Sequence, residues 1–234
     1  MATARVPDAP LARREAVRLG VRTVMPLAVG ALPFGIVFGV TAASSSLTWW
    51  EGLVASALIM AGAAQLALVD PIDTDTPWLL AVVTALIINA RFLLYSTALA
   101  PAFRRFPVRW RYGLAHLMTD QAAVTGIVYF EHQRDDDTRR WFFAAVGMVF
   151  SAAWLAGTAI GLAFSASMPE ALPLGFAVPL TFLALLVPAV RSRPMVVAAV
   201  VGALATVLAA PLPQGLNILL GGIAGVAAGV VANR

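Results

Sequence analysis

The chain contains no cysteine and no lysine, only 2 histidines, and only 12% charged residues among 234. Without cysteine there is no disulfide, no thiolate metal site and no lipidated cysteine. The missing lysine leaves arginine as the sole source of fixed positive charge. Scarcity of charge excludes more. A soluble domain carries about 25% charged residues and about 45–50% apolar ones. This chain is 60% hydrophobic with a mean hydropathy of +0.85. It cannot cover a water-facing surface, so a soluble globular enzyme is ruled out. Disorder is ruled out as well, because it needs low hydrophobicity and high net charge.

Eight apolar segments fill the chain, at roughly 23–43, 49–69, 77–100, 111–130, 141–165, 172–190, 194–210 and 215–232. A spanning helix needs about 20 apolar residues. Barrel strands would be about 10 residues long and alternating, so the pattern specifies helices. The fold class is all-α: a polytopic integral membrane protein with seven or eight transmembrane helices and no soluble domain. Residues 1–22 form a basic cytoplasmic arm with five arginines and no cleavable signal peptide; residues 23–234 form the transmembrane permease domain. Trp49, Trp50, Trp78, Trp110, Tyr112 and Trp141 mark segment ends, as interfacial aromatics do, while Trp154 lies mid-segment.

Arginine placement sets orientation. Arg5, Arg13, Arg14, Arg18 and Arg22 put the N-terminus inside, on the cytoplasmic side of the cell membrane. Arg134, Arg139 and Arg140 do the same for the fourth connection, and Arg191 and Arg193 for the sixth. Eight crossings satisfy all three but leave Arg104, Arg105, Arg109 and Arg111 outside, against the rule. The alternative is a re-entrant second segment, with its MAGAAQ stretch, and seven crossings. No basic patch is interleaved with exposed aromatics, so the high pI does not imply nucleic acid.

Glycines recur at four-residue spacing at Gly35 and Gly39, Gly157 and Gly161, and Gly221, Gly225 and Gly229. In lipid this spacing lets helix backbones approach closely. Segment one holds Pro26, Gly30, Pro33 and Gly35; segment six holds Pro179 and Pro188. Proline removes a helix hydrogen bond and clashes one turn back. Paired interruptions in two halves of a chain predict discontinuous helices around a midplane site, with simple kinking as the plainer reading.

Two charges fall deep within spans, Arg91 in segment three and Asp120 in segment four. Such residues are rare, costly and tied to function. They either pair as a structural staple or face a polar pathway. Arg91 can hold a carboxylate with its planar fork, and Asp120 can bind an ammonium or exchange a proton. Asn89, Tyr95, Thr119 and Gln121 lie beside them, and His116 lies four residues before Asp120 and therefore on its face, a His–Asp ladder that reads as a proton relay or, more plainly, as an interfacial histidine. Gln65 needs a protein partner or a cavity. The candidate binding or coupling residues are therefore Gln65, Asn89, Arg91, Tyr95, Thr119 and Asp120. No HExxH, paired zinc spacing, Walker loop or GxSxG is present, and His116 and His132 are not spaced as ligands, so no enzyme, metal or cofactor is expected.

Six short stretches occur in order: LPFGIVFG (32–39), MAGAAQL (60–66), NARFLLYS (89–96), LMTDQA (117–122), WLAGTAIG (154–161) and GFAVPLTF (175–182). Together they resemble the AzlC-type branched-chain amino-acid exporter family. The resemblance implies the large permease subunit of a two-component exporter, working with a small AzlD-type membrane subunit. It implies efflux of valine, leucine and isoleucine, driven by a proton or another cation. Pro33, Gly39, Gln65, Arg91, Tyr95, Asp120 and Pro179 match the family pattern. Phe92 stands where relatives carry His, and Gln121 where they carry Glu, so two ionisable groups of the implied pathway are missing. The alternatives are a membrane scaffold without a transport path and an ABC-type permease subunit.

Overall fold

The computed structural model describes residues 9–69, 72, 77–165, 190, 192–211 and 216–233. Among them every regular element is a helix: α1 (Arg13–Ala43), α2 (Trp49–Ile59), α3 (Gly62–Val69), α4 (Trp78–Asn89), α5 (Arg91–Phe103), α6 (Val108–His116), α7 (Asp120–His132), α8 (Asp136–Ser165), α9 (Arg193–Leu208) and α10 (Leu216–Ala232). Three stretches are long and apolar enough to cross a bilayer: α1, the α4–α5 run Trp78–Phe103, and α8. Residues form two compact units. The first holds α1–α3, the end of α4 and α5–α8; the second holds the start of α4, α9 and α10.

In the first unit α1 and α8 are the structural spine, packed side by side and pointing the same way. A Cβ added at Gly20 would lie 2.7 Å from Phe142 O, and one at Gly35 would lie 2.6 Å from Trp154 O. Gly39 meets Thr158 and Gly161 in the same register. Contacts climb both chains together, so the helices are parallel. The glycine spacing read from the sequence thus lies at a helix seam inside one chain. At the start of the seam, Leu11 N–H donates to Thr138 Oγ1 at 3.0 Å and Arg13 pairs with Asp137 at 3.2 Å.

The proline-rich part of α1 corrects an expectation. Pro26, Gly30, Pro33 and Gly35 do not break the helix, which runs unbroken for 31 residues with Pro26 and Pro33 inside it. Proline is tolerated in a membrane helix when neighbouring groups absorb the freed carbonyls. Gly35 is there for close packing on α8, whereas an added Cβ at Gly30 would meet nothing within 4 Å. Pro179 and Pro188 lie outside the described residues.

Segments two and four fold back instead of crossing. Gly52 packs against Leu162 and Ser56 Oγ lies 2.8 Å from Thr158 Oγ1, so α2 descends along α8. It stops at Met60, whose φ of 43° is left-handed. Gly62 then touches the Trp154 ring. Gln65 Nε2 donates back to Ser56 O at 3.2 Å. A continuing helix would carry residue 65 about 13 Å beyond residue 56 at about 1.5 Å per residue, out of reach. Hence α3 returns beside α2.

Segment four makes the opposite hairpin. Trp110 packs on Trp141 at 5.0 Å, Leu117 reaches Gly147, and Tyr129 is back on Phe142 at 3.6 Å. So α6 climbs along α8, turns at 117–119, and α7 descends to where Gln133 Nε2 meets Ala9 O at 3.1 Å. The 103–108 connection therefore lies on the same side as the N-terminus and the 133–135 connection. The Arg140 guanidinium sits 5.9 Å from the Phe106 ring and 5.5 Å from the Trp110 ring. Eight crossings required these arginines on opposite sides; with segment four turned back, the conflict disappears. Among the described residues three helical stretches are long and apolar enough to cross, with several shorter apolar helices beside them.

The second unit contains a close helical hairpin. A Cβ on Gly225 would lie 2.7 Å from Ala198 O, and one on Gly229 3.0 Å from Ala198 Cβ. Its outward residues, Val196, Val200, Leu204, Ile223 and Val226, are apolar and exposed, as a lipid-facing surface requires.

Candidate functional site

Three helix interruptions lie close together in the first unit. The first is the apex of the α2–α3 hairpin at Met60–Ala61. The second is Ala90, where α4 gives way to α5 through short-range bonds, Ala90 N–H to Ile87 O at 3.1 Å and Leu93 N–H to Ala90 O at 3.0 Å. The third is the apex of the α6–α7 hairpin at 117–119. Ile59, Ala61, Ala64, Leu68, Ala85, Ile88 and Phe92 form one apolar cluster joining the first to the second. An ion pair joins the second to the third: Arg91 Nη2 lies 3.1 Å from Asp120 Oδ2.

Local sequence explains where the charges sit. Thr119 is the N-cap of α7, its hydroxyl accepting from Ala122 N–H at 3.2 Å. That makes Asp120 the first residue of α7, where a carboxylate opposes the positive end of the helix dipole. Arg91 is likewise the first residue of α5. Residues 120 to 132 rise about 18 Å at about 1.5 Å each. Half of a bilayer core is about 15 Å. Asp120 and Arg91 therefore stand near mid-depth, measured from the arginine-rich face.

The pair is accessible: 35% of the Arg91 side chain and 32% of the Asp120 side chain are exposed. Tyr95, one turn along α5, is close enough to feel both charges, and its ring meets Phe92 edge-on at 5.9 Å. The Arg91 guanidinium lies 5.7 Å from the Phe92 ring. Phe92 thus fills space beside the pair.

Among the described residues, several buried polar atoms here have no hydrogen-bond partner: Gln65 Oε1, Asn89 Oδ1, Arg91 Nε, Asp120 Oδ1, Ser151 Oγ and Trp154 Nε1. Each has unspent hydrogen-bonding capacity, and leaving such a group unmade costs about 1–3 kcal/mol. Gln65 is 1% exposed. Ser151 and Trp154 were not among the sequence candidates. Both sit on the α8 face bounded by Leu117 at Gly147 and Gly62 at Trp154, one apex at each end. Their i, i+3 spacing in an apolar helix was the available signal.

One sequence inference fails. The His116–Asp120 ladder needs a continuous helix, but α6 ends at His116 and α7 starts at Asp120. His116 is exposed. Among the described residues no three His, Cys, Asp or Glu side chains are grouped to hold a metal ion.

Apolar helices, hairpins that turn back at mid-depth and an accessible ion pair where they meet define a polytopic helical membrane protein with discontinuous helices. The family model described as AzlC protein matches residues 26–168, which takes in α1 from Pro26 onward, α2 to α8 and the whole candidate site. The chain belongs to the AzlC family. It is 27% identical over 188 residues to an uncharacterized membrane protein of Archaeoglobus fulgidus, a match covering 78% of this chain and 80% of that one. No solved structure matches.

Proposed function

We propose that this protein is a secondary transporter, the large subunit of a two-component exporter, moving branched-chain or other small apolar amino acids across the cytoplasmic membrane. The observation that carries this reading is the Arg91–Asp120 pair, 3.1 Å apart and a third exposed, where three broken helices meet. An amino acid is a zwitterion. Its carboxylate competes for Arg91, and its ammonium competes for Asp120. The pair preforms a site of zero net charge that a substrate of zero net charge can replace without stranding either ion. Apolar neighbours, Phe92 first, receive the side chain. Selectivity among aliphatic substrates is then shallow, about 1–3 kcal/mol per methylene.

In this proposal coupling to a proton or other cation is assigned to Asp120, and the partner is a small AzlD-type subunit, a reading that membership of the AzlC family supports. The test is efflux of radiolabelled valine, leucine and isoleucine from loaded vesicles, with the chain alone and with its partner. Flux above empty vesicles, lost in Asp120→Asn and Arg91→Gln while both remain folded, supports the proposal. Flux equal to empty vesicles in both preparations overturns it. The scaffold reading predicts instead that each change lowers stability and that the double change restores part of it.

A further inference from the structure

The arginines around the 103–108 connection, like Arg14, Arg18, Arg22 and Arg134 on the same side, include exposed side chains with no ion pair among the described residues, and their own stretch of chain holds no acidic residue. Next to them, Asp135, Asp136 and Asp137 supply carboxylates: Arg13 and Arg140 pair with Asp137, and Arg139 with Asp136. Residues 101–113 carry four arginines and no acidic residue. Among the described residues, Arg104, Arg105 and Arg109 have no ion pair, and all three are exposed. Arg111 does other work. Its Nε donates to Phe106 O at 2.8 Å and its Nη2 to Arg104 O at 2.7 Å, which fixes the turn and holds the other three outward. Arg105 and Arg134 also come close enough to Arg139 for their like charges to repel.

The fold gives this surface its surroundings. Because α6–α7 turns back, the connection lies where chain enters the membrane. Tyr112, 76% exposed, and Trp110, packed on Trp141, are the aromatic side chains that favour the headgroup level. Unbalanced guanidiniums beside such aromatics recognise phosphate esters, to which each contributes bidentate, charge-assisted bonds.

We propose that Arg104, Arg105 and Arg109 form a binding surface for the headgroup of an anionic phospholipid. Occupancy places negative charge beside Arg105 and fastens the base of the α6–α7 hairpin, whose apex carries Asp120. This inference does not depend on what the protein transports.

The experiment compares thermal unfolding of the full-length protein in nanodiscs of phosphatidylcholine alone and in discs with added phosphatidylglycerol. The comparison is repeated for Arg104→Gln/Arg105→Gln/Arg109→Gln and for Arg14→Gln/Arg18→Gln, which removes charge elsewhere on the same end of α1. Native mass spectrometry counts retained lipid. Wild type and the α1 variant should unfold later with phosphatidylglycerol and retain it. The triple variant should match wild type in phosphatidylcholine but lose the shift and the retained lipid. Equal protection of the triple variant overturns the proposal. So does equal protection of wild type by inorganic phosphate in phosphatidylcholine discs, which would assign the surface to a soluble anion.

Discussion

Adding a single methyl group to α1 tests the spine on which the candidate site hangs. At Gly35 the new Cβ would lie 2.6 Å from Trp154 O, 3.1 Å from Gly157 Cα and 3.1 Å from Thr158 N. All three are backbone atoms of α8, so no rotamer change relieves the overlap. The helices must part by about 0.8 Å to restore normal contact, and overpacking of this kind costs about 1–3 kcal/mol. Replacing a mid-helix glycine by alanine returns about 1 kcal/mol of helix propensity. The net expectation for Gly35→Ala is a loss of up to about 2 kcal/mol. Gly30, five residues earlier on the same helix, is the internal control, since its Cβ meets nothing within 4 Å. Gly30→Ala should gain up to about 1 kcal/mol. Unfolding followed by circular dichroism in a mild detergent gives the two differences side by side. The opposite ordering, or equal stability, would refute the parallel α1–α8 seam. If the seam holds Trp154 against the α2–α3 apex as described, Gly35→Ala should also lower transport more than Gly30→Ala does.

Topology is open to a direct measurement, because the chain has no native cysteine to mask a label. Single cysteines at 107 and 134 should react from one and the same side, and a cysteine at 46 from the other; opposite labelling at 107 and 134 would remove the α6–α7 hairpin. Asp135 accepts from Thr138 N–H at 2.8 Å and from Thr138 Oγ1 at 2.6 Å, capping α8. Asp135→Ala should therefore cost about 1 kcal/mol. The Thr138 hydrogen bonds hold the Asp135 carboxyl below the usual carboxylate range. A depressed folded-state pKa means that the stabilisation is complete above the ordinary carboxylate pKa and is lost as pH falls through the lower folded value. Acid titration of stability should then be flatter in Asp135→Ala than in wild type. For Arg91→Gln, Asp120→Asn and the double variant, the 3.1 Å contact gives about 5 kcal/mol at an effective dielectric of 20 and about 1 kcal/mol at 80. With a third of each side chain exposed, the measured coupling should fall near the lower figure. A coupling of zero would mean that the two charges do not meet.

The residues of the ion pair were legible in the sequence because charge is so scarce that Arg91 and Asp120 stand out from apolar surroundings. The glycine seam was legible for a similar reason, since a four-residue spacing has one physical use in lipid. The hairpins were not. Residues 111–130 have the hydropathy of a crossing helix, and a returning pair of half-helices has the same composition. The one warning was indirect: arginines on the wrong side of a topology that treated the segment as a crossing. Nor did the helix ends announce themselves. Pro26 and Pro33, the strongest breakers in α1, lie within continuous helix, while the interruptions at Ala90 and Leu117–Thr119 contain neither proline nor glycine. The Thr119–Asp120 step carries a cap signal. Within an apolar run it reads equally as two polar residues in mid-helix. Tertiary contacts decide between them, and those come from α5 and α8.

The hairpins and the buried charges have a common cause. An α6 of 9 residues and an α7 of 13 are each too short to cross a core of about 30 Å. Both must end inside it, with unpaired backbone groups at the turn. Such ends survive in lipid only when protein or a polar cavity covers them. At the α6–α7 apex α8 covers Leu117, and Thr119 caps the descending helix that begins at Asp120. Once a carboxylate is fixed there, an opposing cation on α5 follows, since an isolated charge at that depth is costly. A crossing helix in place of the hairpin would need neither, and would send Arg104, Arg105, Arg109 and Arg111 to the opposite side of the bilayer. The arginines at the membrane face and the ion pair at its centre are thus two consequences of one turn in the chain. A substitution that straightens 117–119 should disturb both together.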